Sequence, residues 1–201
     1  MKNVFFSMKH NILRMKKGMH AALLVLLLGV AGIVKTYAVT IGNLNYSLNN
    51  NTLKATVTGH VDGVSGSGNL IIPSSVTYTD DQGVTRTYSV TAIGNNAFSG
   101  CGGLTGSLTI PNSVTWIGTA AFKNCIGFSG NLTIPNALTT LKDHVFYNCN
   151  GFTGDLIIPN TVTTIEDYAF YNCSGFTGDL TIPNSVMTIG SHVFFGCSGF
   201  S

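Results

Sequence analysis

The chain has 201 residues, 44% hydrophobic but only 9% charged, with ten basic residues against eight acidic ones. That length suits one domain of ordinary size, and a regular apolar pattern excludes an intrinsically disordered chain. Six of the cations (Lys2, Lys9, Arg14, Lys16, Lys17, Lys35) stand in the first 35 positions. Residues 39–201 are therefore mildly acidic and lack a phosphate-tracking patch, so nucleic acid is not an expected partner.

Residues 1–38 read as an export signal. Basic residues ending at Lys16 and Lys17 precede the apolar run AALLVLLLGVAGIV, and Thr36 and Ala38 are the small residues of a cleavage site. As a helix that run would reach roughly 21 Å, short of the ~30 Å hydrocarbon core. Membrane contact is expected only through the uncleaved signal segment. The expected location of the mature chain is secreted or cell-surface.

The next stretch, residues 39–68, reads as an N-terminal β-hairpin cap. In NLNYSLNNNTLKATVTGHV the apolar positions alternate on both sides of Asn49-Asn50-Asn51. From residue 69 to 201 the chain predicts a solenoid of five copies. The first opens at NLIIPSSVT and carries a surplus segment, 78–91, in which Asp80-Asp81-Gln82-Gly83 is a turn between two β-rich arms. The last copy reads as incomplete, and no C-terminal cap is expected.

The copies declare themselves by ladders spaced 24 residues apart. Proline recurs at Pro111, Pro135, Pro159 and Pro183. Phenylalanine recurs at Phe98, Phe122, Phe146, Phe170 and Phe194, and cysteine at Cys101, Cys125, Cys149, Cys173 and Cys197. A fixed period of this length is the mark of stacked coils. In Leu-Thr-Ile-Pro the apolar residues alternate with a polar one, which predicts a half-buried strand that proline then ends. Between the ladder Phe and Cys the spacing predicts a short helical turn. The expected class is an α/β repeat solenoid, mostly β, with parallel strands and 24-residue coils.

The wording IPxSVTxIGxxAFxxC, as in Ile110 to Cys125, resembles the BspA-like (Treponema-type) leucine-rich repeats of bacterial surface proteins. The resemblance covers about residues 41–201. It implies the leucine-rich repeat fold and an exported protein of adhesin-like interaction, without naming a ligand.

Reactive constellations are sparse. The five cysteines hold one place in successive coils, where parallel Cβ vectors disfavour disulfides, so they are expected as buried thiols. His144 and His192 lie two coils apart, too far to share a metal, and read as surface decoration. Asp155 with Asp179, and Asp143 with Glu166 and Asp167, read as a solvated acidic face. No catalytic residue, metal site or cofactor is expected. The binding candidates are aromatic: Tyr147, Tyr171 and Phe195, each following a core Phe, and Trp116, the sole tryptophan. Thr109, Thr133, Ile157 and Thr181 would line the outer sheet face.

These features together predict a non-enzymatic protein that binds a protein or glycan on a host or microbial surface. Alternative readings are the truncated amino-terminal fragment of a longer adhesin, without activity of its own, and a glycan-binding module. Self-association through the uncapped C-terminal end is a further expectation.

Overall fold

Strand alternation builds the first part of the fold. In β2 (Leu44–Asn49) the side chains of Leu44, Tyr46 and Leu48 are buried and those between them are not, the two-residue period of a sheet with one wet face. The computed structural model describes residues 36–61 and 68–200. β1 (Thr36–Ile41) and β3 (Lys54–His60) flank β2, and both pair with it antiparallel. The β2–β3 turn is held by Asn49, whose side-chain oxygen accepts from the backbone N–H groups of Asn51 and Thr52 at 3.0 and 3.1 Å. The expected hairpin around Asn49-Asn50-Asn51 is thus present, widened by β1 to three strands. Most of the expected signal segment lies outside the described residues. Its last three, Thr36, Tyr37 and Ala38, pair with Asn49, Leu48 and Ser47, so cleavage after Ala38 would leave only Val39–Ile41 of β1.

The three strands dock on the first coil through a parallel pairing of β3 with β6 (Thr85–Ile93). A register shift between Ala55 and Thr56 sets Val90 opposite Ala55 but Ala92 opposite Thr56. That bulge is why the buried side chains of β6 run Tyr88, Val90, Ile93 instead of keeping strict alternation. β5 (Ser75–Thr79) returns antiparallel to β6, making the hairpin expected for 78–91. Its tip is tied by Asp80, which accepts from the N–H groups of Gln82 and Val84 and from Arg86 Nη1 at 2.7 Å. The hydrogen bond from the Arg86 guanidinium, with those backbone donors, holds the Asp80 carboxyl below its usual range.

From here the chain winds in coils whose straight sides are only two residues long. β4 (Leu70–Ile71) pairs in parallel with β7 (Leu108–Thr109), and β6 with β8 (Trp116–Ile117). β9 (Thr140–Leu141), β10 (Thr164–Ile165) and β11 (Thr188–Ile189) form a third parallel ladder. Single parallel bridges join Thr133 to Ile157 and Ile157 to Thr181. Strand-on-strand stacking with no helix among the described residues makes the solenoid wholly β and turn.

The short helical turn expected between the ladder Phe and Cys is instead a run of tandem β-turns. In one coil Ala121 N–H bonds to Gly118 O, Lys123 to Ala120 O and Cys125 to Phe122 O, each an i to i−3 contact. The helix fails because two residues of each turn region adopt left-handed backbone: Ala120 and Asn124, then His144 and Asn148, then Tyr168 and Asn172, all with φ between 54 and 60°. This geometry leaves alternate N–H groups free to reach the next coil. Ala120, Phe122 and Asn124 donate to the carbonyls of Asp143, Val145 and Tyr147 at 2.9, 3.0 and 2.8 Å.

The core is the set of ladders laid down by that register. Phe98, Phe122, Phe146, Phe170 and Phe194 stack with centroids 5.3, 5.4, 5.6 and 5.7 Å apart and planes within 12°. A second phenylalanine ladder, Phe128, Phe152, Phe176 and Phe200, packs edge-on against the first. Its sequence signal was the recurring Gly-Phe pair. That glycine sits where backbones of adjacent coils meet: a Cβ at Gly175 would overlap the carbonyl oxygens of Phe152 and Asn150. The cysteines form no disulfide. The thiols of Cys125, Cys149, Cys173 and Cys197 instead donate to the carbonyls of Phe98, Phe122, Phe146 and Phe170 at 2.9 to 3.0 Å.

Three outcomes follow for the purified chain. Gly175→Ala should cost about 3 kcal/mol by steric overlap, whereas Gly103→Ala, which meets no atom within 4 Å, should be neutral; denaturant midpoints separate the two. Burial also pushes the Cys125 thiol up to about 12 from an ordinary 9.0 and raises Cys149 and Cys173 in the same direction. The native state therefore keeps protons that the unfolded chain loses, so this contribution to stability is complete below 9.0 and lost as pH rises toward about 12. Unfolding midpoints should fall through that window, and Cys125→Ala should flatten the fall. At neutral pH these thiols should resist alkylation until the chain is denatured.

Candidate functional site: a two-column aromatic surface

Residues i and i+3 of the turn region face the same way, and the 24-residue register repeats both positions coil after coil. The outcome is two adjoining columns of rings. One holds Tyr147, Tyr171 and Phe195, with centroids 4.8 and 5.2 Å apart and planes within 15°. The other holds His144, Tyr168 and His192, spaced 4.8 and 5.3 Å. Across the columns His144 meets Tyr147 at 5.0 Å, Tyr168 meets Tyr171 at 5.7 Å, and His192 meets Phe195 at 5.8 Å. Lys123 Nζ closes one end, 4.9 Å from the Tyr147 centroid.

The rings of His144, Tyr147, Tyr168 and Tyr171 are half-buried, whereas His192 and Phe195, the latter at 59%, are exposed. Their inner faces are occupied. Tyr171 lies between Tyr147 and Phe195, Tyr168 between His144 and His192, and Tyr147 between Tyr171 and the Lys123 ammonium. With those faces covered, ring edges and the hydroxyls of Tyr147, Tyr168 and Tyr171 are what remains available on this surface. None of those three hydroxyls has a hydrogen-bond partner among the described residues.

The column of His144, Tyr168 and His192 is also the strained one. All three have φ of 55°, a region that a bulky L-residue enters at a cost of order 1 kcal/mol. The same place holds Asn96 and Ala120 in the earlier coils, at φ 54°. Under this column the carboxylates fasten coil to coil. Asp167 Oδ1 accepts from Ser191 N–H at 2.7 Å, as Asn95 Oδ1 does from Thr119 N–H at 2.9 Å. Glu166 accepts from the Asp143 N–H at 3.0 Å and pairs with Lys142 Nζ at 2.6 Å. Asp143 Oδ1 lies 2.6 Å from His144 Nδ1, orienting that ring. The Asp143, Glu166 and Asp167 cluster expected as a solvated face is therefore partly a set of backbone caps. No group of three potential metal ligands occurs among the described residues.

The other sequence candidates are distributed over separate sides of the coil. Thr133, Ile157 and Thr181 form one exposed parallel row, with Ile157 71% exposed above a groove of about 760 Å³ shared with Asp155 and Asp179. Thr109 belongs to the β4–β7 pair, opposite Ile71. Trp116, 40% exposed, stands in β8 opposite Ala92 and has no ring partner among the described residues. Of the residues read as a binding surface, only Tyr147, Tyr171 and Phe195 are brought together with further aromatic groups. His144, Tyr168 and His192 join them, so the histidines expected as surface decoration belong to the same surface. The signal was their offset of three residues from the tyrosine column.

Comparison with known proteins places this geometry. A family model described as a BspA type leucine rich repeat region (6 copies) matches residues 78–201. Among solved structures, a leucine-rich repeat protein from Bacteroides ovatus ATCC 8483 is 29% identical, with a TM-score of 0.65 over 76% of this chain and 37% of that one. A leucine rich cell surface protein from Faecalibacterium prausnitzii A2-165 is 23% identical, with a TM-score of 0.51 over 82% of this chain and 53% of that one. The leucine rich repeat protein of T. pallidum shares the fold at 20% identity, with a TM-score of 0.51 over 79% of this chain and 88% of that one. The chain thus spans well under two thirds of the first two relatives. No curated protein matches it. No helix among the described residues is long and apolar enough to cross a membrane. On the match to residues 78–201, the chain belongs to the BspA-type leucine-rich repeat family.

Proposed function

We propose that the chain is an exported, non-enzymatic interaction protein that engages a protein on a host or microbial surface. The observation that carries this reading is the double aromatic column: six rings in contact, three of them on left-handed backbone. Strain of this kind persists where the surroundings enforce it, and the core does not require rings there, since Asn96 and Ala120 fill the equivalent places. Rigid tyrosines tipped with hydroxyls are strong anchors of protein interfaces, because little side-chain freedom is left to lose on binding. The solenoid supplies the rigidity, and distributed complementarity replaces a reactive centre. Recognition of a sugar by stacking is the weaker reading, because both faces of Tyr171 and Tyr168 already carry neighbouring rings.

The test uses the full chain against immobilised host-matrix proteins and intact microbial cells. Tyr168→Asn suits the left-handed backbone, so its stability should change by less than about 1 kcal/mol, while binding should fall roughly thirtyfold. Trp116→Ala and Ile157→Ser, on other sides of the coil, should change affinity less than threefold. Equal loss in Trp116→Ala with no loss in Tyr168→Asn would move the recognition surface away from the columns.

A further inference from the structure

We infer that the two aromatic columns form a seat for a proline-rich segment in polyproline II conformation. This rests on the reading of the columns as the recognition surface and adds the chemistry of what sits there. The first argument is register. A polyproline II helix advances ~3.1 Å per residue, so residues three apart repeat at ~9.3 Å on one face. The column centroids step by 4.8 and 5.2 Å along Tyr147, Tyr171 and Phe195, so rings two coils apart lie about 10 Å from one another, within an ångström of that repeat. Residues n and n+3 of the ligand would therefore meet equivalent rings two coils apart. An extended β-strand repeats its side chains every ~6.6 Å, which fits neither one coil nor two.

The second argument is hydrogen bonding. The hydroxyls of Tyr147, Tyr168 and Tyr171 are carried on rings packed against neighbouring rings, and none has a partner among the described residues. A polyproline II backbone makes no internal hydrogen bonds, so its carbonyls are free to accept from them. An α-helix, whose 5.4 Å pitch would also suit the coil spacing, has already committed its carbonyls and cannot.

The experiment titrates a labelled decaproline peptide into the full chain, read by fluorescence anisotropy and by amide chemical shifts. The same titration is run with a soluble oligosaccharide mixture and with a glycine-serine peptide of equal length. The expected result is saturable decaproline binding with shifts centred on residues 144–147, 168–171 and 192–195. Tyr168→Phe and Tyr171→Phe keep the stacked rings and remove only hydroxyls, so the folded spectrum should persist. Each should weaken decaproline roughly three- to tenfold. Absence of decaproline binding overturns the inference, as does binding that both Tyr→Phe variants leave unchanged. Oligosaccharide binding that shifts the same residues, without decaproline binding, overturns it too but leaves the columns as a recognition surface.

Discussion

Everything in this molecule depends on one repeated contact: the N–H groups of each turn region donate to the carbonyls of the next coil. Phe98, Phe122, Phe146 and Phe170 each bond to a carbonyl 23 residues ahead, at 2.8 to 3.1 Å. That contact fixes the register between coils, and the register decides what every side chain touches. A residue must then lie over its counterpart one period away, so the phenylalanines stack, the thiols reach the same carbonyl, and Asn148 and Asn172 each donate to the asparagine one coil back. Side-chain chemistry stabilises the stack, but the backbone sets its geometry. The close approach required by this register is also what excludes a Cβ at Gly151 and Gly175.

Much of this could be read from sequence, for a physical reason. Ladders at Pro, Phe and Cys report a period directly, and a coil with apolar residues on its inner face has no stable form except a stack. The hairpin between β5 and β6 was equally legible, because Asp80 to Gly83 is turn chemistry between alternating arms. The turn region reads as helical in sequence because a spacing of three between Phe and Cys fits both a helix and a β-turn. The residue before each cysteine was the better guide: Gly100, Asn124, Asn148, Asn172 and Gly196 all carry positive φ, and glycine and asparagine are the residues that tolerate it.

The candidate site was half legible. Rows of equivalent residues follow from the period, so Tyr147, Tyr171 and Phe195 could be named as one stripe before any coordinates. Which rows share a side of the coil could not, since that depends on the local turn. The tandem turns fold position i against position i+3, bringing His144 to Tyr147 and Tyr168 to Tyr171. The same turns put Trp116 and the Thr133, Ile157, Thr181 row elsewhere on the coil. Sequence gave the columns one at a time; the backbone joined two of them.

The contrast between inner and outer rows bears on what the chain has been shaped for. The inner Phe and Cys ladders are invariant across the described coils, as a shared packing geometry demands. The two outer rows have the same backbone in every coil but differing residues: Asn96, Ala120, His144, Tyr168, His192, and Ser99, Lys123, Tyr147, Tyr171, Phe195. Backbone geometry therefore does not dictate the rings. At the left-handed position it disfavours them, and asparagine would sit there at lower cost. Ring stacking returns part of that cost, about 0.5–1.5 kcal/mol per aromatic pair, but only once neighbouring coils both carry rings. A lone ring in the first coil would be strained without a partner, whereas six adjoining rings support one another. The aromatic surface is thus cooperative along the stack, and its concentration in the later coils follows from that.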